Sequence, residues 1–227
     1  MRITGIMLKK KWLIILALCS LTLIGCVMAG PIMSNVETPK YSVSYSSGNI
    51  EHRNYEPMII AAVEVTGERK EAIGNGFRLI ADYIFGNNSI DQNIKMTVPV
   101  EQQTSKKIAM TAPVQQQQSG ASWTISFVMP SEYTLSTIPK PNREEIKLTL
   151  IAPKEFVVIR FSGTNSDELI TKYQTELLGY IAKRKIKIVG EPKYAFYNPP
   201  WTLPFMRRNE IIDRKSTRLN SSHEWIS

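Results

Sequence analysis

Two five-residue stretches, Met-Thr-Val-Pro-Val at 96–100 and Met-Thr-Ala-Pro-Val at 110–114, nearly repeat each other. Their thioether side chains, Met96 and Met110, are flexible and polarizable, which suits an adaptable pocket or an irregular part of a core. Proline cannot donate a hydrogen bond to a β-ladder, so the proline of each copy belongs at a strand end, a bulge or an edge. We therefore predict two extended strands folded back on each other, with both methionines in the core or lining a pocket.

Few other side chains carry the chemistry of a catalytic or metal site. Cys19 and Cys26 are the two cysteines and both precede the body, which therefore has neither a disulfide framework nor a cysteine metal site. Of the two histidines, His52 lies in the body and His223 in the C-terminal tail. The body has no Gly-x-Ser-x-Gly elbow, no His-Glu-x-x-His pair and no glycine-rich phosphate loop after a strand. The sequence indicates a non-catalytic protein, with an enzyme acting on a hydrophobic small molecule left as an alternative.

The formal charge of +8 is concentrated at the two ends of the chain. Residues 1–25 carry +4 and residues 214–227 carry +2, which leaves +2 for residues 26–213. A body with nearly balanced charge lacks the basic surface on which binding to a polyanion depends. We therefore expect no nucleic-acid partner.

The N-terminus has the pattern of a secretion signal. Three lysines at 9–11 precede an apolar run at 12–24, which is too short to span a hydrocarbon core of about 30 Å but suits a signal peptide. The run ends in Leu-Ile-Gly-Cys and resembles a bacterial lipobox with Cys26 as the acylated residue; an uncleaved membrane anchor or a chance cysteine is the alternative. We predict a signal peptide at 1–25, a lipid anchor at Cys26 and a flexible tether at 26–48. The protein would then be lipid-anchored in a bacterial cell envelope, in the periplasm or at the outer membrane.

The body repeats one order of elements twice. Each half begins with a strand, at 58–65 and 156–161, and continues with an amphipathic helix, at 68–85 and 166–183. Apolar or alternating runs predict further strands at 123–129, 146–150, 186–189 and 194–197, and the glutamines at 115–118 predict a polar loop. This order predicts an α+β fold with a mainly antiparallel sheet and two covering helices.

The first helix has more apolar surface than a single sheet contact requires. One face carries apolar side chains at i, i+4, i+7, i+8 and i+11, namely Ile73, Phe77, Ile80, Ala81 and Ile84. The adjoining stripe is also apolar and consists of Ala72, Gly76, Leu79 and Tyr83. Gly74 and Gly76 each weaken a helix by about 1 kcal/mol relative to Ala, so we expect close packing or a bend there. The surplus favours a ligand or a partner on the second side of this helix.

Four separated motifs of the body carry a family likeness. In chain order they are Ile-Glu-His-Arg-Asn-Tyr-Glu-Pro at 50–57, Tyr-Ile-Phe-Gly-Asn-Asn at 83–88, Lys-Ile-Ala-Met-Thr-Ala-Pro-Val at 107–114 and Pro-Trp-Thr-Leu-Pro-Phe-Met-Arg-Arg-Asn-Glu at 200–210. Together they resemble the SOUL haem-binding protein family, although Ile50 replaces the tyrosine that usually opens the first motif. The resemblance covers residues 49–213 and implies a twisted, mainly antiparallel β-barrel with two flanking helices and an internal pseudo-repeat.

The same resemblance implies that haem or a related tetrapyrrole binds in an apolar groove beside the first helix. The porphyrin would contact Phe77, Ile80, Ala81 and Ile84, and Arg78 would meet its propionates. His52 is the candidate axial ligand of the iron, and Met96 and Met110 are candidate thioether ligands. We expect a ring held mainly by apolar contact, without a strong axial ligand. The alternative is an interaction or structural protein that keeps the fold without binding haem.

Residues 214–227 have no counterpart in that family and no periodicity. They resemble a translated vector fragment, so we predict an artefactual tail and exclude His223 as a ligand.

Overall fold

The computed structural model describes Trp12 and residues 36–89 and 105–216. The predicted signal peptide, the lipidation site Cys26, the first Met-Thr-x-Pro-Val copy with Met96, and most of the tail lie outside the described residues. Within the described part, no helix is long and apolar enough to cross a bilayer.

Among the described residues, nine strands form one curled antiparallel sheet, and two α-helices cover it. The strands of the sheet are β1 (Tyr41–Ser47), β2 (Ile50–Tyr55), β3 (Met58–Thr66), β5 (Val114–Ser119), β6 (Ser122–Val128), β8 (Lys147–Ile151), β9 (Lys154–Phe161), β10 (Lys193–Phe196) and β11 (Asn209–Arg214). The short strands β4 (Asn88–Ser89) and β7 (Lys140–Pro141) pair separately, and the helices are α1 (Arg69–Ile84) and α2 (Asp167–Lys183). The sheet order is β1-β2-β9-β11-β10-β5-β6-β3-β8.

The predicted pseudo-repeat is present in the sheet pairing. In each half a strand leads into a helix and then into two neighbouring strands, β5 and β6 after α1, and β10 and β11 after α2. The second strand of each pair returns to the first strand of its half, so that β6 pairs with β3 and β11 with β9. The halves join where β5 pairs with β10. This arrangement confirms the α+β fold with a curled antiparallel sheet and two flanking helices.

The helices cover one face of the sheet, and the other face lines the interior of the half-barrel. Helix α1 packs on alternate residues of β3 and β6, including Val63, Ile125 and Phe127. In the other half, the buried side of α2 covers β9 and β11. Side chains on the opposite face fill the interior: Tyr55, Phe156, Val158, Ala195, Tyr197 and Ile212. Both faces of the sheet are thus covered by apolar packing.

The tether predicted at 26–48 is wrong for its final part. Tyr41–Ser47 forms the edge strand β1, which pairs antiparallel with β2. Alternation of Tyr41, Val43 and Tyr45 with serines is a period-two strand pattern, although most side chains of this edge strand stay exposed.

The polar loop predicted at 115–118 is also wrong, because these residues belong to the central strand β5. Gln115 and Gln116 are buried, at 8% and 3% exposure, and β5 pairs with β6 on one side and β10 on the other. One buried amide has a charged partner, since Arg69 Nη2 donates to Gln116 Oε1 over 3.4 Å. Such hydrogen bonds allow polar side chains to lie in a central strand.

The second copy of the repeated motif does not form the predicted hairpin strand. Residues 105–113 have no strand, apart from a single parallel bridge between Thr111 and Glu37. The Thr111 hydroxyl is turned into the fold, where it donates to the carbonyl of Val128. The strand predicted at 186–189 is likewise reduced to one bridge, between Ile188 and Lys215.

Candidate functional site

Helix α1 carries a row of apolar and small residues that faces solvent. Gly74, Phe77, Ala81 and Phe85 follow one another at three or four residues, so they lie along one side of the helix. The side chains of Phe77 and Phe85 are 38% and 57% exposed. Around Gly74, no side chain and no backbone outside its own stretch of helix lies within 4 Å of the position that a Cβ would take. We call these four residues the α1 stripe.

The opposite side of α1 is pressed closely against the sheet. A Cβ added to Gly76 would lie 2.5 Å from Cγ1 of Ile125, so only glycine fits here without a shift of the sheet side chain. Close packing or a bend was expected at both helix glycines, and close packing is found at Gly76 but not at Gly74. At the margin of the stripe, the rings of Phe77 and Phe127 have their centroids 5.6 Å apart. That contact with the core fixes Phe77 in place while part of its ring remains exposed.

A groove of about 290 Å³ lies beside α1 and is lined by Asn75, Arg78, Leu79, Asp82 and Arg143. The Arg143 Nε atom donates to Asp82 Oδ2 over 3.0 Å. Hydrogen bonds from Asn87 and Arg143 lower the pKa of Asp82 below its ordinary value, so this carboxylate stays ionised. Two guanidinium groups against one carboxylate give the groove a positive balance, which suits an anionic group.

Arg78 lies between this groove and the α1 stripe. Its Nη2 atom donates to Asn75 Oδ1 within the same helix, and its side chain is exposed. No ion pair to Arg78 occurs among the described residues. The site therefore combines a flat apolar row with a guanidinium at its side.

His52 lies in a different part of the molecule, on β2 beside α2. Its Nε2 atom is 3.1 Å from the hydroxyl of Tyr180, and the rings of Tyr45 and Tyr180 pack edge-on against the imidazole. Burial lowers the pKa of His52, and the positive charges of Lys215 and Arg184 lower it further, against a smaller opposite effect of Glu155. The lowered pKa favours the neutral imidazole. At least five strand spacings, roughly 24 Å along the sheet, separate β2 from the strands beneath α1. The ring contacts of this imidazole are with Tyr45 of β1 and Tyr180 of α2.

Comparison of the sequence with known proteins assigns this chain to a family. The model of the SOUL heme-binding protein family matches residues 36–213, which is most of the chain. This chain belongs to the SOUL family. Heme-binding protein 2 of Homo sapiens is 30% identical to it over 185 residues, covering 78% of this chain and 84% of that protein.

A solved structure has the same overall fold as this SOUL chain. The crystal structure of the EcmrR C-terminal domain superposes with a TM-score of 0.52 and covers 78% of this chain and 98% of that one. At 11% identity this likeness concerns the fold alone.

The structure separates the residues that the SOUL resemblance nominated for porphyrin contact. Phe77, Arg78 and Ala81 reach the outer surface of α1, whereas Ile80 and Ile84 are 0% and 1% exposed and face the sheet. The predicted contact of these two isoleucines with a ligand is incompatible with this placement, because their surface is already used in the core.

Met110 is placed near the end of the helix. It is 41% exposed and lies two residues after Ile108, whose N–H donates to the carbonyl of Ile84 over 2.9 Å. A thioether is thus available close to the C-terminal end of the α1 stripe. No group of three or more His, Cys, Asp or Glu side chains suited to a metal ion occurs in the described part of the chain. The roles of Met110 and Met96 as ligands stay predictions.

Sequence reasoning missed Gly74 and Phe85 as members of the site. The helical pattern assigned the ligand face to the arc around Ile80, but the structure turns that arc toward the sheet and leaves the neighbouring arc in water. Two signals were present in the sequence. Phe85 is an aromatic residue at the helix end within one of the SOUL motifs, and Gly74 is a helix-weakening residue without a packing role.

Proposed function

We propose that this SOUL protein binds haem or a related tetrapyrrole on the α1 stripe. Family membership supports the ligand class, and the human relative is a heme-binding protein by name. The two exposed phenylalanines of the α1 stripe, Phe77 and Phe85, are the observation that carries the location, because aromatic side chains held in water on a folded helix favour a bound apolar partner.

The shape of the stripe suits a planar ring. Gly74 and Ala81 are small and leave open surface on either side of Phe77, and the phenyl rings of Phe77 and Phe85 can stack on a macrocycle or meet its edge. From Gly74 to Phe85 the helix rises by about 16 Å, which is close to the span of a porphyrin with its propionates. The ring would lie on the helix surface and not inside an enclosed cavity.

Charge beside the stripe suits the acidic edge of such a ligand. Arg78 borders the stripe, and the neighbouring groove adds Arg143. At about 290 Å³ the groove is too small for a whole tetrapyrrole but can hold a carboxylate substituent. Arginine pairs well with carboxylates because its planar guanidinium can donate two parallel hydrogen bonds.

Iron would be held without a strong protein ligand, since His52 lies beside α2 and pairs with Tyr180. Met110 lies two residues after Ile108, which is bonded to the last residue of α1, and its sulfur would be at most a weak axial ligand. Apolar contact and the propionate ion pairs would then supply most of the affinity.

We also propose that the protein is anchored to a membrane by a lipid on Cys26. This part of the proposal rests on the lysines at 9–11, the apolar run at 12–24 and the lipobox-like Leu-Ile-Gly-Cys. The expected location is a bacterial cell envelope. Metabolic labelling with a fatty acid should mark the wild-type protein and leave Cys26→Ser unlabelled; a labelled Cys26→Ser protein would refute this site.

A haemin titration tests the ligand and its location together. Wild-type protein should show a Soret shift that saturates at one equivalent, and the double variant Phe77→Ser/Phe85→Ser should bind at least tenfold more weakly. The matched control is Leu178→Ser, which removes a 41% exposed apolar residue from the surface of α2.

Three results would contradict this proposal. Spectral drift without saturation in the wild type would argue against haemin as the ligand and favour an interaction or structural role for the same fold. Saturable binding that Phe77→Ser/Phe85→Ser leaves unchanged would move the site away from α1. An equal loss in Leu178→Ser would show that the effect is not specific to the stripe.

A further inference from the structure

The loop between β10 and β11 holds three large apolar side chains in water. Trp201 is 62% exposed, Phe205 72% and Leu203 38%. These residues belong to the Pro-Trp-Thr-Leu-Pro-Phe motif and lie on neither helix, so tetrapyrrole binding on α1 does not account for them. We call these three residues the apolar tip.

Hydrogen bonds hold the loop in one shape. The Arg207 guanidinium donates from Nε to the carbonyl of Thr202 over 2.7 Å and from Nη2 to the carbonyl of Pro200. The N–H of Gly163, which follows β9, donates to the carbonyl of Pro204 over 2.8 Å. A loop braced both internally and against the sheet presents the apolar tip at a low cost in conformational entropy.

A basic pocket of about 430 Å³ adjoins the apolar tip and shares Phe205 with it. Three arginines line this pocket, namely Arg160, Arg207 and Arg208, together with the single acidic residue Glu51. The Glu51 carboxylate already accepts a hydrogen bond from Arg53 Nε over 2.7 Å. Arg160 is exposed and forms no ion pair with the described residues.

We propose that this end of the molecule docks on an anionic lipid surface. Trp201, Leu203 and Phe205 enter the interface between headgroups and acyl chains, and a lipid phosphate enters the pocket beside Arg160. Aromatic side chains favour that interface, and a basic residue close to it adds attraction to acidic lipids. Charge complementarity favours an acidic lipid surface as the occupant, because Arg160, which has no ion pair with the described residues, lines the same pocket as Phe205 of the apolar tip. The proposal depends neither on a lipid at Cys26 nor on ligand binding at α1.

Fluorescence of Trp201 gives a test specific to this loop. The full chain would carry Trp12→Phe and Trp225→Phe, which leaves Trp201 and the 9% exposed core residue Trp123. Brominated acyl chains in phosphatidylcholine vesicles containing phosphatidylglycerol should quench the emission. Adding Trp201→Phe to the same chain should abolish the quenching. This readout concerns the loop itself, whichever other segment touches the vesicle.

Substitutions then separate the two parts of the surface. Phe205→Ser should weaken the quenching of Trp201 about tenfold. Arg160→Gln should weaken this quenching about fivefold on acidic vesicles and should leave it unchanged on pure phosphatidylcholine vesicles. Leu135→Ser and Arg184→Gln, which alter an exposed leucine and an exposed arginine elsewhere on the surface, should match the parent chain.

Vesicle-bound protein whose Trp201 is not quenched would overturn the proposal and leave a protein partner as the occupant of the tip. Equal quenching by neutral and acidic vesicles would overturn the role of the basic pocket, as would an unchanged response of Arg160→Gln. Circular dichroism confirms that each variant is folded before its response is compared.

Discussion

Arg53 and Glu210 form a bidentate ion pair inside the half-barrel, with N–O distances of 2.8 and 3.0 Å. Their side chains are 1% and 0% exposed. The carboxylate also accepts hydrogen bonds from the hydroxyl of Tyr197 and from Nε of Arg208, each over 2.9 Å. Burial alone would raise the pKa of Glu210, but the hydrogen bonds and charges of the two arginines lower it. The pair thus stays charged and ties the first SOUL motif to the last.

Replacing Glu210 by glutamine should destabilise the protein strongly. Glu210→Gln leaves the Arg53 guanidinium buried without its main counter-charge, and breaking a buried pair in this way costs about 3–5 kcal/mol. The loss should lie at the low end of that range, because Glu51 still accepts a hydrogen bond from Arg53 Nε. Urea denaturation of wild type and variant gives the difference in the free energy of unfolding.

Two further variants make this measurement specific. In the wild type, Lys215 Nζ lies 2.7 Å from the exposed carboxylate of Glu155. Glu155→Gln breaks this surface ion pair and should cost less than about 1 kcal/mol. The double variant Arg53→Met/Glu210→Met should be more stable than Glu210→Gln, since no fully buried charge is then left unpaired. Arg208 and Glu51 each lose a partner in it, but their side chains are 23% and 26% exposed and can be solvated. A loss in Glu210→Gln no larger than in Glu155→Gln would contradict the account of a charged buried pair.

The stability of the wild type should fall between about pH 4 and pH 6 because of Asp213. Burial, with a smaller effect of Glu191, raises the pKa of Asp213 to about 6, and its Oδ2 has no hydrogen-bond partner within the described part. The ordinary pKa is about 3.9, so across this range the folded protein keeps a proton that the unfolded chain loses. Folding therefore becomes less favourable as the pH rises, and the loss is complete above pH 6.

Asp213→Asn removes this titration and should be more stable than wild type by about 1 kcal/mol at pH 7, with no gain at pH 4. Urea denaturation at several pH values measures the difference between the two proteins, in which the other titrating groups cancel. A constant difference across the whole range would contradict the raised pKa. Glu191→Gln serves as the control and should lower the pKa of Asp213 slightly without removing the fall.

The sequence allowed both helices and the order of elements in each half to be predicted, because long periodic runs such as α1 and α2 carry strong local signals. Strand β5 could not be predicted in this way. Its buried glutamines are polar, and their partners, such as Arg69, come from distant parts of the chain. Edge strand β1 has a weak period-two pattern and little burial, which local reasoning interprets equally well as a tether.

The sequence predicted which helix carries the candidate site, but not which side of that helix faces solvent. Amphipathic periodicity identifies α1, whereas the arc that meets the sheet depends on Gly76 fitting against Ile125, a contact between residues far apart in sequence. For the same reason His52 and Phe77 could be named together, although the sheet order places them in different halves.

Substitution of His52 should leave the haemin spectrum unchanged. His52→Ala removes an imidazole that lies beside Tyr180 of α2 and roughly 24 Å along the sheet from the strands under α1. The Soret maximum and the saturation point should match those of wild type, while stability falls by about 1 kcal/mol with the lost hydrogen bond. Loss of the Soret shift in a folded His52→Ala protein would place the ligand beside α2 instead.

The two glycines of α1 should respond in opposite ways to added side chains. Gly76→Ala places a Cβ 2.5 Å from Ile125 Cγ1, so overpacking should cost about 1–3 kcal/mol despite the better helix propensity of alanine. Gly74→Ala meets open space and should gain up to about 1 kcal/mol. Urea denaturation measures both changes.

Gly74→Leu should keep that gain in stability and yet weaken haemin binding at least tenfold, because its side chain would stand on the open surface beside Phe77, at the N-terminal end of the stripe on which the ring is proposed to lie. Stability and affinity would then move in opposite directions in a single variant, which general damage to the fold cannot produce. Haemin affinity equal to wild type in a stable Gly74→Leu protein would show that the ring does not lie across this part of α1.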